Sequence, residues 1–206
     1  MNPGKLIAFE GIDGCGKSTQ LAKLAERVRA ADIEVCITAE PTQFETGRKI
    51  RAAARAGKAI APEVELDWFL EDRRIHVDRV IGPALEAGQM VLCDRYTLSS
   101  VAYQGARGLD PEAILRAGEA AFPLPDLVLL FAISPREGLA RVAARGGVSE
   151  PLFENEEFLE SVAHVFDSID RPYIARLDAS GDADRLETEV LDRLERRLGV
   201  ALRRGI

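Results

Sequence analysis

The chain has 206 residues, 47% of them hydrophobic, enough to bury one substantial core; no linker divides it, so 1–206 is expected to form a single domain. Its 27 basic residues against 34 acidic ones give a net charge of −7, which argues against a broad footprint for nucleic acid or an anionic membrane, so any phosphate has to be held locally. The longest apolar run, Leu127 to Ile133, is far too short for a bilayer, no basic-then-apolar leader precedes the first strand-like run, and the three unpatterned cysteines, Cys15, Cys36 and Cys93, fit a reducing cytoplasm.

Along the chain, the first apolar run, Leu6 to Glu10, reads as a strand and passes through a glycine-rich turn into a helix marked by Leu21, Leu24, Ala25 and Val28. Glu34 to Thr38 reads as a second strand. A long helix begins near Glu63, with an apolar stripe of Leu66, Phe69, Leu70, Val77, Val80, Ile81 and Ala84. Met90 to Asp94 and Leu127 to Ile133 are the next strands, Gly105 to Asp110 and Gly146 to Asn155 are loops, Tyr173 to Leu177 is a fifth strand, and Leu186, Val190, Leu191, Leu194 and Leu198 mark a last helix. Strands alternating with helices predict an α/β fold: a parallel five-stranded sheet with helices on both faces.

The turn after the first strand, Gly11-Ile12-Asp13-Gly14-Cys15-Gly16-Lys17-Ser18-Thr19, fits G-x-x-x-x-G-K-[ST] between a strand and a helix, the setting a phosphate-binding P-loop requires. Backbone N–H groups aimed into one concavity cradle polyphosphate, and the following helix adds its dipole. Lys17 is expected to reach the donor's β and γ phosphates and Ser18 to offer its hydroxyl to Mg²⁺. Cys15, beside Lys17, reads as a small residue filling a tight loop in preference to a redox site.

No Asn-Lys pair occurs, so the guanine-reading N-K-x-D of GTPases is absent and ATP is the expected donor. The strand Met90-Val91-Leu92-Cys93 ends in Asp94-Arg95-Tyr96: Asp94 at the carboxyl end of a strand beside the P-loop suits magnesium, and Arg95 suits phosphate oxygens, the alternative being a surface ion pair. Arg73 falls on the apolar stripe one turn from Phe69. A planar base stacked on Phe69 would meet the guanidinium at its edge; the competing reading is a buried ion pair with Glu40, Asp67 or Asp94.

Taken in order, Phe9-Glu10-Gly11 through Gln20, Glu40-Pro41-Thr42, Phe69-Leu70-Glu71-Asp72-Arg73, Asp94-Arg95-Tyr96 with Ser99-Ser100-Val101-Ala102-Tyr103-Gln104-Gly105, Pro125-Asp126-Leu127 and Asp178-Ala179-Ser180 resemble the thymidylate kinase family over nearly the whole chain. The resemblance implies the three-layer P-loop NTPase fold with a short lid at about 146–155, and Mg²⁺-dependent transfer of the γ-phosphoryl group of ATP to dTMP. It also implies that Phe69 stacks on thymine, Arg73 bonds its edge, Ser100 and Gln104 approach the base, Ser99 belongs to the same substrate site, and Tyr103 packs on the deoxyribose. Arg95 and Arg51 then hold the acceptor phosphate near Glu40 and Pro41, Asp13 lies near the sugar and transferring phosphate, and Arg141 with Ala179 and Ser180 holds adenine. A cytoplasmic homodimer is implied as well.

Two departures stand out. The family's lid arginine, in a pattern like Asp-Arg-x-Glu, is replaced in Pro151-Leu152-Phe153-Glu154, leaving Arg141 or Arg145 at the lid's base to substitute; Thr38-Ala39-Glu40-Pro41 also lacks a family arginine. A kinase for another pyrimidine monophosphate, and a nucleotide-binding module with little turnover, are the competing readings.

Overall fold

The computed structural model describes residues 4–57, 60–144 and 155–202. Strand β1 (Lys5–Glu10) runs into helix α1 (Lys17–Ala30), then β2 (Val35–Ala39), α2 (Glu45–Arg55) and α3 (Pro62–His76). A π-helical turn, Val77–Ile81, joins α3 to α4 (Gly82–Glu86). The chain continues through β3 (Met90–Asp94), α5 (Thr97–Gly105), α6 (Pro111–Ala121), β4 (Leu127–Ala132), α7 (Pro135–Ala144), α8 (Glu156–Ser168), β5 (Ile174–Asp178) and α9 (Ala183–Leu198).

All pairings are parallel, in the order β2-β3-β1-β4-β5. Alternate residues of each strand feed opposite faces. Leu6, Ala8, Val91, Cys93, Val128 and Leu130 pack with α5, α6 and α8, whereas Ile7, Phe9, Leu92, Leu129 and Phe131 pack with α1 and α9. Burial on both faces explains why the central strands read as unbroken apolar runs. The five-stranded three-layer architecture is therefore as expected from the sequence, with the second and fifth strands each displaced by one residue.

The chain steps from β1 out to β2, returns to β3, and crosses to β4 on the other flank of β1. The switch point lies at the carboxyl ends of β1 and β3, where a ligand crevice forms in such sheets. There Gly11–Ser18, Glu40–Thr42, Arg95–Tyr96 and Ala179–Ser180 emerge together.

Helix α3 departs from its predicted character. Its deeply buried positions are Glu65, Asp72, Arg73 and His76, while Leu66, Phe69 and Leu70 are half-buried. The π turn adds a residue to the helical path, so the stripe read as continuous is shifted before Ile81 and Ala84 enter the core. Helix α3 thus forms a polar wall of the crevice.

Candidate active site

The P-loop closes through its glycines. Gly14 has φ +80°, and a Cβ there would lie 2.1 Å from the carbonyl oxygen of Gly138 in α7; a Cβ on Gly138 would in turn lie 2.6 Å from the Asp13 carbonyl oxygen. Loop and helix therefore touch backbone to backbone. Gly16 (φ +93°) has nothing within 4 Å of such an atom, so the loop is open on that side. Lys17 begins α1 and is buried, its Nζ donating to the carbonyl oxygens of Gly11 (3.0 Å) and Ile12 (2.9 Å). The Ser18 hydroxyl donates to Asp94 Oδ2 at 2.6 Å, joining the P-loop to the end of β3.

Arg95 adopts φ +69°, a left-handed backbone that is uncommon for a residue with a side chain and a form of strain that gathers at functional sites. Its guanidinium donates to Asp13 Oδ1 (2.5 Å), Ser99 Oγ (3.1 Å), the Gly11 carbonyl (3.2 Å) and the Tyr103 hydroxyl (3.3 Å), and lies 5.1 Å from the Tyr103 ring centre. Burial opposes its charge, but Asp13, Tyr103, Asp94 and Glu10 together outweigh this and hold its pKa well above the usual arginine value. Burial likewise disfavours an ionised Asp13, yet Arg95 and Lys17 draw its carboxyl below the ordinary aspartate range. Beneath them Glu10, fully buried, accepts from the Tyr96 and Ser99 amides (2.9 and 3.1 Å) and from the Ser99 hydroxyl (2.5 Å) at the start of α5. Burial pushes its pKa up to about 7 despite the opposing pull of Ser99 and Arg95.

On the other wall, two rungs cross from α3 to α5. Arg73 Nη2 donates to Ser100 Oγ and to the Tyr96 carbonyl, both at 3.0 Å, and two turns away Gln104 Nε2 donates to Glu65 Oε2 at 3.0 Å. Residues 65, 69 and 73 are successive turns of one helix face, so Phe69, half-buried, lies between the rungs. Arg73 also pairs with Glu40, Nε and Nη2 lying 2.9 and 2.8 Å from the same oxygen, Oε2. Arg73 Nη1 and Gln104 Oε1, a donor and an acceptor, are buried and have no hydrogen-bond partner. Such orphaned polar atoms are costly and demand an explanation.

The model of the thymidylate kinase family matches residues 9–190. The chain belongs to the thymidylate kinase family. It is 42% identical to the thymidylate kinase of Desulfotalea psychrophila over 97% of this chain and 98% of that one, and 42% identical to that of Akkermansia muciniphila over 94% and 93%. The thymidylate kinase of Xanthomonas campestris pv. campestris (strain B100) is 44% identical over 88% of this chain and 78% of its own. As a family member the chain is an enzyme, a nucleoside monophosphate kinase that takes its phosphoryl group from a nucleotide donor and acts on a small nucleotide. Among the described residues no helix is long and apolar enough to cross a membrane.

The structure brings the sequence candidates into three groups. Asp13, Lys17, Ser18, Asp94 and Arg95 surround the P-loop. Glu40, Phe69, Arg73, Ser99, Ser100, Tyr103 and Gln104 line the α3–α5 wall. Arg141 donates to the Ala179 (2.9 Å) and Ser180 (3.2 Å) carbonyls, joining α7 to the turn after β5. These bonds tie Arg141 to that turn. Arg51 turns onto the carbonyls of Pro41 and Thr42 and donates to Gln43 Oε1 at 2.9 Å, stiffening the turn beside Glu40. Arg73 forms the buried ion pair with Glu40, and its Nη1 has no hydrogen-bond partner. Arg145, Leu152 and the lid span lie outside the described residues, apart from Asn155, whose side chain caps α8.

Sequence reasoning assigned no role to Glu10, Glu65, Asp72 or His76. Asp72 takes the Thr42 amide (2.7 Å) and hydroxyl (2.6 Å) and fixes the turn after β2. Asp72 and His76 are neighbours of Arg73 on the buried side of α3, and a polar line along a helical stripe was the available signal.

Proposed function

We propose that this chain transfers the γ-phosphoryl group of ATP to dTMP, giving ADP and dTDP, with Mg²⁺. The observation carrying the acceptor choice is the pair of orphaned buried atoms flanking Phe69. Thymine presents an acceptor, O4, beside a donor, N3–H, and Arg73 Nη1 with Gln104 Oε1 offers the complementary donor and acceptor. Phe69 supplies a stacking face, and Tyr103, ringed by Arg95 and Phe158, packs on the deoxyribose.

Phosphoryl transfer asks the protein for alignment and charge stabilisation more than covalent chemistry. The P-loop amides and Lys17 hold the donor; its phosphate oxygens offer Lys17 stronger acceptors than the Gly11 and Ile12 carbonyls it now bonds. Arg95 and Arg51 orient the acceptor phosphate for in-line attack, with Asp13 steadying Arg95 through a charge-assisted bond. Arg141, Ala179 and Ser180 border the adenine, with Gly11, Gly14, Cys15, Gly16 and Thr19 shaping the loop. Ser18 and Asp94, a hydroxyl and a carboxylate oxygen 2.6 Å apart, form the hard oxygen donor set Mg²⁺ prefers. Ser18 and Asp94 would hold Mg²⁺ there, and the ion would supply charge neutralisation for the donor phosphates. The same reading includes a homodimer covering exposed apolar residues of α3 such as Val64, which light scattering during gel filtration tests.

ADP release measured with ATP, Mg²⁺ and each nucleoside monophosphate in turn tests the assignment. Activity on dTMP is expected, with Arg73→Ala raising its KM about 10- to 100-fold, as expected for loss of a charged hydrogen bond, and sparing the KM for ATP. Activity confined to another base, or tight nucleotide binding without ADP release, overturns it.

A further inference from the structure

We propose that Thr38 and His76 form a positioning relay for Glu40 that holds Arg73 in the orientation in which one arm, Nη1, is left to meet the thymine edge. The inference rests on the base-pocket reading above and extends it to residues that touch no substrate.

His76 is fully buried at the end of α3. Its Nδ1 is 3.0 Å from Glu40 Oε1 and its Nε2 is 2.5 Å from the hydroxyl oxygen of Thr38 in β2. A carboxylate only accepts, so the proton between His76 and Glu40 belongs to Nδ1; in the neutral imidazole the Thr38 hydroxyl then donates to Nε2, and each contact selects the tautomer the other needs. The two oxygens of Glu40 are thereby divided: Oε1 faces His76, and Oε2 accepts from Nε of Arg73, with Nη2 2.8 Å away.

Glu40 thus meets the Nε/Nη2 side of the guanidinium, and Nη1, on the other side, has no partner. A guanidinium facing an unencumbered carboxylate prefers the two-point fork, one nitrogen to each oxygen. With Oε1 held by His76, Oε2 alone meets Arg73, Nη2 donates to Ser100 and the Tyr96 carbonyl, and the guanidinium is pinned with Nη1 buried and unpaired. Without the His76 bond, Glu40 is free to turn and offer both oxygens, rotating the guanidinium away from the pocket between α3 and α5. His76 is therefore a positioning residue for base recognition, with no part in phosphoryl transfer.

Four variants of the full chain test this through steady-state kinetics on dTMP, dCMP and ATP, with melting temperatures measured alongside. His76→Asn keeps an N–H near the Nδ1 position, whereas His76→Gln carries its amide to the Nε2 side and gives up the bond to Glu40. The expected result for His76→Gln is a rise in the dTMP KM of about tenfold, the equivalent of about 1.4 kcal/mol, with reduced preference for dTMP over dCMP and with kcat and the ATP KM nearly unchanged. His76→Asn is expected to restore the dTMP KM to within about threefold of the parent, and Thr38→Val, which removes only the hydroxyl, to raise it about threefold. Equal effects of Asn and Gln, or a loss spread evenly over kcat and both KM values, overturn the relay. If His76→Gln does not fold, Thr38→Val decides, and an unchanged dTMP KM sinks the proposal. Arg73→Lys separates the two layers: if it raises the dTMP KM while the His76 and Thr38 variants do not, only the relay fails; if it too changes nothing, the base-pocket reading falls.

Discussion

Replacing Glu10 with glutamine should flatten the dependence of stability on pH. Glu10 is fully buried at the base of the crevice, and its carboxyl titrates near 7 in the folded protein against an ordinary value of 4.5, chiefly because burial penalises the charged form. The folded chain therefore holds this proton more tightly than the unfolded one. Its contribution is fully present below about pH 4.5 and is lost as pH rises through about 7. The separation corresponds to about 3 kcal/mol in total, of which about 2 kcal/mol falls between roughly pH 5.5 and 8.5. Glutamine keeps an acceptor for the Tyr96 and Ser99 amides and does not titrate. Urea unfolding of both proteins across that range, taken as a difference at each pH, removes the contributions of other groups. The parent should lose about 2 kcal/mol relative to Glu10→Gln from the acid to the alkaline end. Parallel curves, or a parent that gains stability with pH relative to the variant, would refute the assignment of a desolvated carboxyl.

Two further outcomes follow from the loop and its surroundings. Gly14→Ala should lower the melting temperature more than Gly16→Ala in thermal unfolding, because the first drives a Cβ into the Gly138 carbonyl at a cost of about 3 kcal/mol or more, whereas the second meets only the left-handed backbone penalty of about 1–2 kcal/mol. Arg141→Ala should raise the KM for ATP roughly tenfold and leave that for dTMP unchanged in initial-rate assays, since its bonds go to the Ala179 and Ser180 carbonyls and none to the acceptor side.

Much of this molecule is legible in its sequence, and the parts that are not share a cause. The central strands announce themselves because burial on both faces demands continuous apolar runs, as in Leu127–Ala132. Strand β5, at the sheet edge, alternates between buried and exposed residues and is harder to delimit. The π turn at Val77–Ile81 carries no marker residue and escapes a reading built on helical period alone. In the site, Arg73 is conspicuous because a charge on an apolar stripe needs a partner. Glu10 is not conspicuous: its partner Ser99 lies 89 residues away, and one buried carboxylate at a strand end looks like any other until the chain is folded. His76 has the same difficulty, with partners 36 and 38 residues upstream. The carbonyl partners of Lys17 and Arg141 belong to the backbone and have no letter in the sequence at all.

The meeting of Gly14 and Gly138 constrains how such a chain can drift. Each glycine leaves no room for a side chain on the other's segment, so enlarging either one requires the P-loop and α7 to separate, and no change at the opposite position can make that room, since glycine is already the smallest residue. Two sites 124 positions apart in the chain are thus locked together with no compensating pair available. Variation must accumulate elsewhere, in the outward faces of α7 and α9, while this contact persists as a fixed point around which the rest of the sequence is free to change.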